Sequence, residues 1–283
     1  MENSTGLRNF FLPALLVFFH ICAMAQPVSG DYFITDFPFH GGEKTLSVLK
    51  LHYTTLGRPI RDNKGHVANA VLILHGTGSS GHNFLTPSFA GVLFSRGQLL
   101  DTTKYASLPV AIAGRNRMMR AQAINLIEMD PAWNNGEYTT QPRQGLAGAS
   151  SSLFFMNSSP LQLQQRAPTR EAAEQLLADM EENYLSTLDA NDLIYQLDAS
   201  RDYDPSPWLQ KIKAPLYAIN SADDEINPPE LGIMEKEIKK VPKGRYILLP
   251  TTEKTVGHGT NSLPAIWDPY LTQLLAASKA KPK

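Results

Sequence analysis

Residues 70–74 read Ala-Val-Leu-Ile-Leu, five apolar residues in a row, and run directly into His75-Gly76-Thr77-Gly78-Ser79-Ser80-Gly81. An unbroken apolar run of this length, closed by a glycine-rich loop, predicts a strand buried on both faces. Strands of that kind sit in parallel sheets covered by helices. This segment therefore constrains the chain to an α/β architecture more strongly than any other.

The rest of the chain reads around it. Residues 31–39 alternate about Tyr32, Phe33, Phe37 and Phe39, His40-Gly41-Gly42-Glu43 supplies a turn, and 45–56 follow with β-branched and apolar residues, which predicts a β-hairpin. Residues 58–66 are polar and loop-like, and 84–97 are expected to be helical in part. Residues 106–114 look like the end of a strand entering a loop. In 115–130, Met118, Met119, Ala123, Ile124 and Ile127 have helical spacing, and Pro131 ends the helix. From 133 to 207 the pattern is helices and loops, with Thr169-Arg170-Glu171 opening a helix that runs to about Leu188. A second α/β pattern closes the chain: a strand at 214–221, an amphipathic helix in 228–241, a strand at 246–249 and a final helix at 266–277. The expected layout of 26–283 is one domain, a sheet-forming frame from both ends with a helical insert over about 115–207.

The N-terminus is expected to lie outside this domain. Residues 10–21 form a short apolar run after Arg8, and Ala23-Met24-Ala25 places small residues where signal peptidase cuts. Residues 1–25 are read as a secretory signal, and the mature chain as periplasmic or extracellular. The run is shorter than the roughly 20 residues a spanning helix needs, so no stable membrane span is expected. Cys22, the one cysteine, falls inside the signal. Disulfides, cysteine-zinc sites and a cysteine nucleophile are thereby excluded from the mature chain. A net charge of −1 without strong charge runs argues against nucleic acid or an anionic membrane surface as the main partner.

The residues that carry chemistry follow strands. The loop His75-Gly76-Thr77-Gly78 after the 70–74 run could turn sharply and aim backbone amides at a developing negative charge, as one half of an oxyanion hole. A plain tight turn is the alternative. Near the C-terminus, one strand is followed by Asp223-Asp224-Glu225 and the next by Gly257-His258-Gly259. An acid after one late strand and a histidine after the next fit the last two members of a Ser…Asp…His order. The histidine would be general base, and the acid would hold its tautomer. Taken singly, the acids could equally cap the turn after them, and His258 could be a loop residue.

Several segments together resemble the homoserine O-acetyltransferase-like branch of the α/β-hydrolases. They are 71–81 with 84–91, the run 106–120 (Ala-Ser-Leu-Pro-Val-Ala-Ile-Ala-Gly-Arg-Asn-Arg-Met-Met-Arg), Ser158-Ser159-Pro160-Leu161-Gln162, and 220–231 (Asn-Ser-Ala-Asp-Asp-Glu-Ile-Asn-Pro-Pro-Glu-Leu). The resemblance implies an α/β-hydrolase fold with the helical insert as a lid, and acyl transfer by a serine on a Gly-x-Ser-x-Gly-like elbow. It favours Asp224 as the acid, four residues before Pro228, with Asp223 a close second. It implies a small-molecule ester or acyl substrate and no cofactor. No serine has glycine at both −2 and +2: Ser80 has His82 ahead, and Ser150 has Ser152 ahead. The family order places two more strand-helix units after Tyr105, on the order of 70 residues at about 30 each, whereas here Ala106 follows at once. The central strands and the nucleophile are read as lost together at the junction of Tyr105 and Ala106. Two hypotheses stand: an exported ester hydrolase or acyltransferase with an unrecognised serine, and a non-catalytic variant or binding scaffold. His40, His52, His66 and His82 lack ligand spacing, so no metal site is expected.

Expression in a secreting host should yield a mature protein beginning at Gln26, read by intact mass and N-terminal sequencing; retention of residues 1–25 in the secreted product would overturn the signal-peptide reading.

Overall fold

The computed structural model describes residues 26–38, 45–68, 70–76, 80–94, 98–100, 114–199 and 201–278. The signal segment, Cys22, the 40–43 turn, Thr77, Gly78, Ser79 and the Tyr105/Ala106 junction lie outside them.

The chain opens with an antiparallel hairpin, β1 (Val28–Pro38) against β2 (Thr45–Thr55), with Val28 opposite Thr55 and Ile34 opposite Leu49. The period-2 alternation separates the side chains. Tyr32, Ile34, Leu49, Leu51 and Tyr53 share one face. On the other, Asp31 bonds His52 Nδ1 at 2.7 Å and Lys50 Nζ at 2.9 Å. Both partners are exposed, so these pairs contribute little to stability. Tyr32, Phe33, Leu51 and Tyr53 are themselves largely exposed.

A short 3₁₀ turn (Gly81–Leu85) leads into α1 (Pro87–Leu93), whose Pro87 sits in the first helical turn, where its missing N–H costs nothing. Phe89, Ala90 and Leu93 pack with Phe84, Ile73 and Trp267, the last from the closing helix. The rings of Phe84 and Phe89 stand 4.9 Å apart, and those of Phe89 and Trp267 6.2 Å apart. The two ends of the chain thus share one apolar cluster.

A helical region follows: α2 (Gly114–Glu128), α3 (Arg143–Asn157), α4 (Pro160–Arg166), α5 (Arg170–Thr187) and α6 (Ala190–Asp198). Its core is Ala123, Ile127, Leu146, Ala149, Ala190, Leu193 and Leu197, drawn from α2, α3 and α6. The helices start where capping residues allow: Thr169 accepts from Ala172 N at 3.2 Å, and Asp189 from Asp192 N at 3.1 Å. Gly145 lets α3 lie against α2: a Cβ there would stand 2.5 Å from the Leu126 carbonyl oxygen.

The C-terminal part holds a parallel pair, β3 (Leu216–Ser221) and β4 (Gly244–Leu249), with Ser221 opposite Leu249. Between them lies α7 (Ile233–Glu237), flanked by 3₁₀ turns Pro229–Leu231 and Ile238–Lys240, and α8 (Pro264–Ser278) closes the chain. Among the described residues the strands form these two separate pairs.

Three sequence expectations are corrected. Residues 70–74 are not a strand: none joins a ladder, and Leu72 and Leu74 are 58% and 53% exposed while Ile73 tucks into the Phe89 cluster. An apolar run becomes an interior strand only where neighbouring backbones satisfy its N–H and C=O groups. Among the described residues none flanks it. The helix expected in 228–241 is broken into three pieces, because Gly232 adopts φ +62, a left-handed conformation that ends one turn before the next begins. Gly114, expected in a strand-to-loop passage, is the first residue of α2. The hairpin, both late strands, and the helices beginning near 115, 170 and 266 lie where the sequence placed them.

Gly145→Ala tests the α2–α3 contact. The gain in helix propensity, up to about 1 kcal/mol, opposes overpacking against an immovable backbone oxygen, about 1–3 kcal/mol. Net destabilisation in urea unfolding is expected; unchanged or raised stability would show that the helices separate freely.

Candidate active site

The register of β3 and β4 brings two loops side by side. The ladder extends one residue past β3, with Ala222 N donating to Leu249 O at 2.8 Å, and Asp223 and Asp224 follow immediately. The loop after β4 is tightened by Thr252 and Thr255, whose backbone and hydroxyl groups bond one another. It reaches Gly257 at φ +64, where a Cβ would stand 2.7 Å from the Ser158 carbonyl oxygen. Only glycine meets both the backbone angle and the close approach. His258 comes next, opening the 3₁₀ turn Gly259–Ser262.

Asp224 is the histidine's partner. Its Oδ2 lies 3.0 Å from His258 Nδ1, and its side chain is 4% exposed against 33% for the imidazole. Its Oδ1 accepts the amides of Ile226 at 2.8 Å and Asn227 at 2.9 Å. The capping role and the histidine-orienting role, alternatives in the sequence, are both present, one per oxygen. Burial pushes the Asp224 carboxyl up; the hydrogen bond and charge of His258 and the two amides outweigh it and hold the group below its ordinary range. An ionised carboxylate has no proton to give, so Nδ1 is the donor, and whenever the ring is neutral Nε2 carries the lone pair. A base so oriented can take a proton from a nucleophile placed at Nε2.

Asp223 faces the same loop differently. Its Oδ1 accepts from the Ser221 hydroxyl, and its Oδ2 accepts from Thr255 Oγ1 at 2.9 Å and Gly257 N at 3.2 Å. Burial raises its pKa, and the Ser221, Thr255 and Ser159 hydroxyls with the Gly257 amide bring it below the ordinary value.

The start of α2 borders the pair, which the sequence reading missed. The Asn116 amide, 4% exposed, donates to Asn227 Oδ1 at 3.4 Å, and Asn227 Nδ2 lies 3.4 Å from Asp224 Oδ2 and from His258 Nδ1. Arg115 bonds the Glu225 carbonyl and contacts Met156 Sδ at 3.5 Å. The sequence signals were the polar run that opens the helix and the place of Arg115, Asn116 and Asn227 within the family-like segments 106–120 and 220–231, and neither says where that helix will dock.

Two of the other expected site residues, His75 and Gly76, are among the described residues. His75 and Gly76 are exposed, and the His75 ring lies 3.0 Å from the Gly76 carbonyl; Thr77 and Gly78 lie outside the described residues. Ser150, Ser151 and Ser152 bond back to carbonyls of α3 at 2.7, 2.8 and 3.1 Å. Among the described residues no serine hydroxyl is hydrogen-bonded to His258. Among them, too, no group of three His, Cys, Asp or Glu side chains is arranged to hold a metal ion, and no helix is long and apolar enough to cross a membrane.

Neither a protein-family model nor a curated protein matches the sequence. Solved structures do match in shape. Homoserine O-acetyltransferase from Bacillus anthracis gives a TM-score of 0.68 at 14% identity, over 91% of this chain and 99% of that one. Esterase E22 gives 0.69 at 13% identity, over 90% and 100%. Homoserine O-acetyltransferase from Staphylococcus aureus gives 0.61 at 13% identity, over 91% and 98%. The chain has the α/β-hydrolase fold.

The Asp224 carboxyl, ordinarily at 3.8 and lowered on folding, contributes stability that is fully present above that value. It is lost as the pH falls through the lower folded-state value. Melting temperature should therefore drop below about pH 4, and Asp224→Asn should lower it at neutral pH and flatten part of that acid limb. An acid limb identical in wild type and variant would remove Asp224 from the account.

Proposed function

We propose that this chain is an exported α/β-hydrolase-fold protein of the ester hydrolase and O-acyltransferase lineage that keeps the base and the acid of a Ser-His-Asp site but not its nucleophile, and that its catalysis is impaired or absent. One observation carries this reading. His258 and Asp224 stand in orienting contact at the ends of adjacent parallel strands, and among the described residues no serine hydroxyl meets the ring. The fold shared with an esterase and two homoserine O-acetyltransferases supports the lineage.

In such a site the imidazole accepts the proton of the serine as it attacks an acyl carbon, and later returns it to the leaving group. Without the serine there is no covalent acyl intermediate, and the oxyanion amide supplied by the following residue goes with it. Loss of a triad member costs several orders of magnitude, with the remainder supplied by binding and by the oxyanion donors. Loss of the block between Tyr105 and Ala106 accounts for the missing serine, and the transcript across that junction tests it. The helical region over about 115–207 is assigned as the lid. Export through residues 1–25 places the protein where acyl-CoA is scarce, so the activity inferred for the parent is ester hydrolysis. A second reading, a non-catalytic binding scaffold, is favoured by an apolar groove of about 240 Å³ between α3, α4 and α5, walled by Phe154, Phe155, Leu163, Leu176 and Leu177.

A fluorophosphonate probe on the folded mature chain is expected to label no serine, and short-chain aryl esters to show no turnover above background. A single labelled serine, with labelling abolished in His258→Ala, would overturn the proposal in favour of an intact enzyme.

A further inference from the structure

We propose that Asp223 is a positioning residue for His258: it anchors the histidine loop so that Asp224 can hold the imidazole, and the two adjacent carboxylates divide this work. The proposal rests on the reading of His258 and Asp224 as retained base and acid.

The bonds of Asp223 separate it from an ordinary capping residue. The amides of the turn that follows, at Ile226 and Asn227, go to Asp224. Asp223 reaches across to the β4 loop, where its Oδ2 takes Thr255 Oγ1 at 2.9 Å and Gly257 N at 3.2 Å. These donors lie three residues and one residue before His258. Its Oδ1 is held in turn by the Ser221 hydroxyl, from the last residue of β3. The anchor therefore runs from strand to carboxylate to loop, beside the contact from Asp224 to the imidazole.

Each donor depends on this acceptor. Thr255 is 1% exposed, and its single hydroxyl proton is shared between Asp223 Oδ2 and the Thr252 carbonyl at 2.9 Å. A carboxylate is the stronger acceptor of the two. The Gly257 amide belongs to a residue at φ +64, an angle open to glycine, and a side chain there would meet the Ser158 carbonyl; its N–H donates to Asp223 Oδ2. The Ser159 hydroxyl, fully buried and without a hydrogen-bond partner of good geometry, faces the same carboxylate from the start of α4 and adds to its field. Removing the charge of Asp223 leaves Thr255 and Gly257 without a charged acceptor, and a shift of well under 1 Å breaks the Nδ1 contact.

The test reads the ring itself, because activity is expected to be absent. In the ¹⁵N-histidine-labelled mature chain at mildly alkaline pH, His258, assigned with His258→Ala, is expected to carry its proton on Nδ1 with a low-field proton resonance. Asp223→Asn should abolish that resonance and mix the two tautomers while far-UV circular dichroism stays native. Thr255→Val should act in the same direction, and Thr255→Ser, which keeps the hydroxyl, should restore the wild-type spectrum. Should Asp223→Asn fail to fold, the contrast between Thr255→Val and Thr255→Ser decides the question alone. A His258 spectrum unchanged in the folded variants would overturn the positioning role and leave the incomplete-site reading standing. Fluorophosphonate labelling would do the reverse.

Discussion

The parallel pairing of β3 with β4, Ser221 opposite Leu249, is the constraint on which the candidate site depends. Adjacent strands lie about 4.8 Å apart, so parallel chains leaving at the same end emerge as neighbouring loops. Asp223 and Asp224 are two and three residues past the end of β3, and His258 is nine past the end of β4. A one-residue slip would turn each side chain to the opposite face and separate the acid from the ring. The extra ladder bond from Ala222 to Leu249 O guards that register at the point where it matters.

Two consecutive carboxylates so close together would repel unless each charge were separately satisfied. Asp224, the more buried, divides its oxygens between two backbone amides and the imidazole. Asp223 divides its own between a strand hydroxyl and the histidine loop. Both pKa values fall below the ordinary value despite burial, so the hydrogen bonds outweigh desolvation in both groups. The helical region touches the same loops through polar groups. Asn116 reaches Asn227 at 3.4 Å and Gln162 reaches the Glu253 carbonyl at 2.7 Å. Movement of those helices would therefore bear on the acid and on the histidine loop.

The parts legible in the sequence were those whose signals are local. The alternation around Tyr32 and Phe33 specified a hairpin, Thr169 marked the start of α5, and the runs ending near Ser221 and Leu249 specified strands. The pairing of an acid after one late strand with a histidine after the next was legible as well, because chain order and strand ends carry that information. The illegible parts were set by neighbours distant in sequence. Residues 70–74 have the composition of a central strand but no flanking backbone among the described residues, and composition supplies no hydrogen-bond partner. The helix expected in 228–241 failed at Gly232, whose left-handed angle overrode an amphipathic pattern. Asn116, Asn227 and Arg115 were invisible as site residues, since nothing in a helix's own sequence says what its first turn will dock against.

The sequence by itself determined the hairpin, the two late strands, the helices beginning near 115, 170 and 266, the candidate acid and base, and the lack of a serine flanked by glycines at −2 and +2, because propensity, periodicity and motif spacing act within a few residues. The sequence favoured Asp224 with Asp223 a close second, and only the tertiary structure decided that Asp224 is the aspartate that meets the histidine. Asp223 and Asp224 are chemically identical neighbours, and the choice rests on a 3.0 Å contact between residues 34 positions apart, which exists only once β3 and β4 have paired in register.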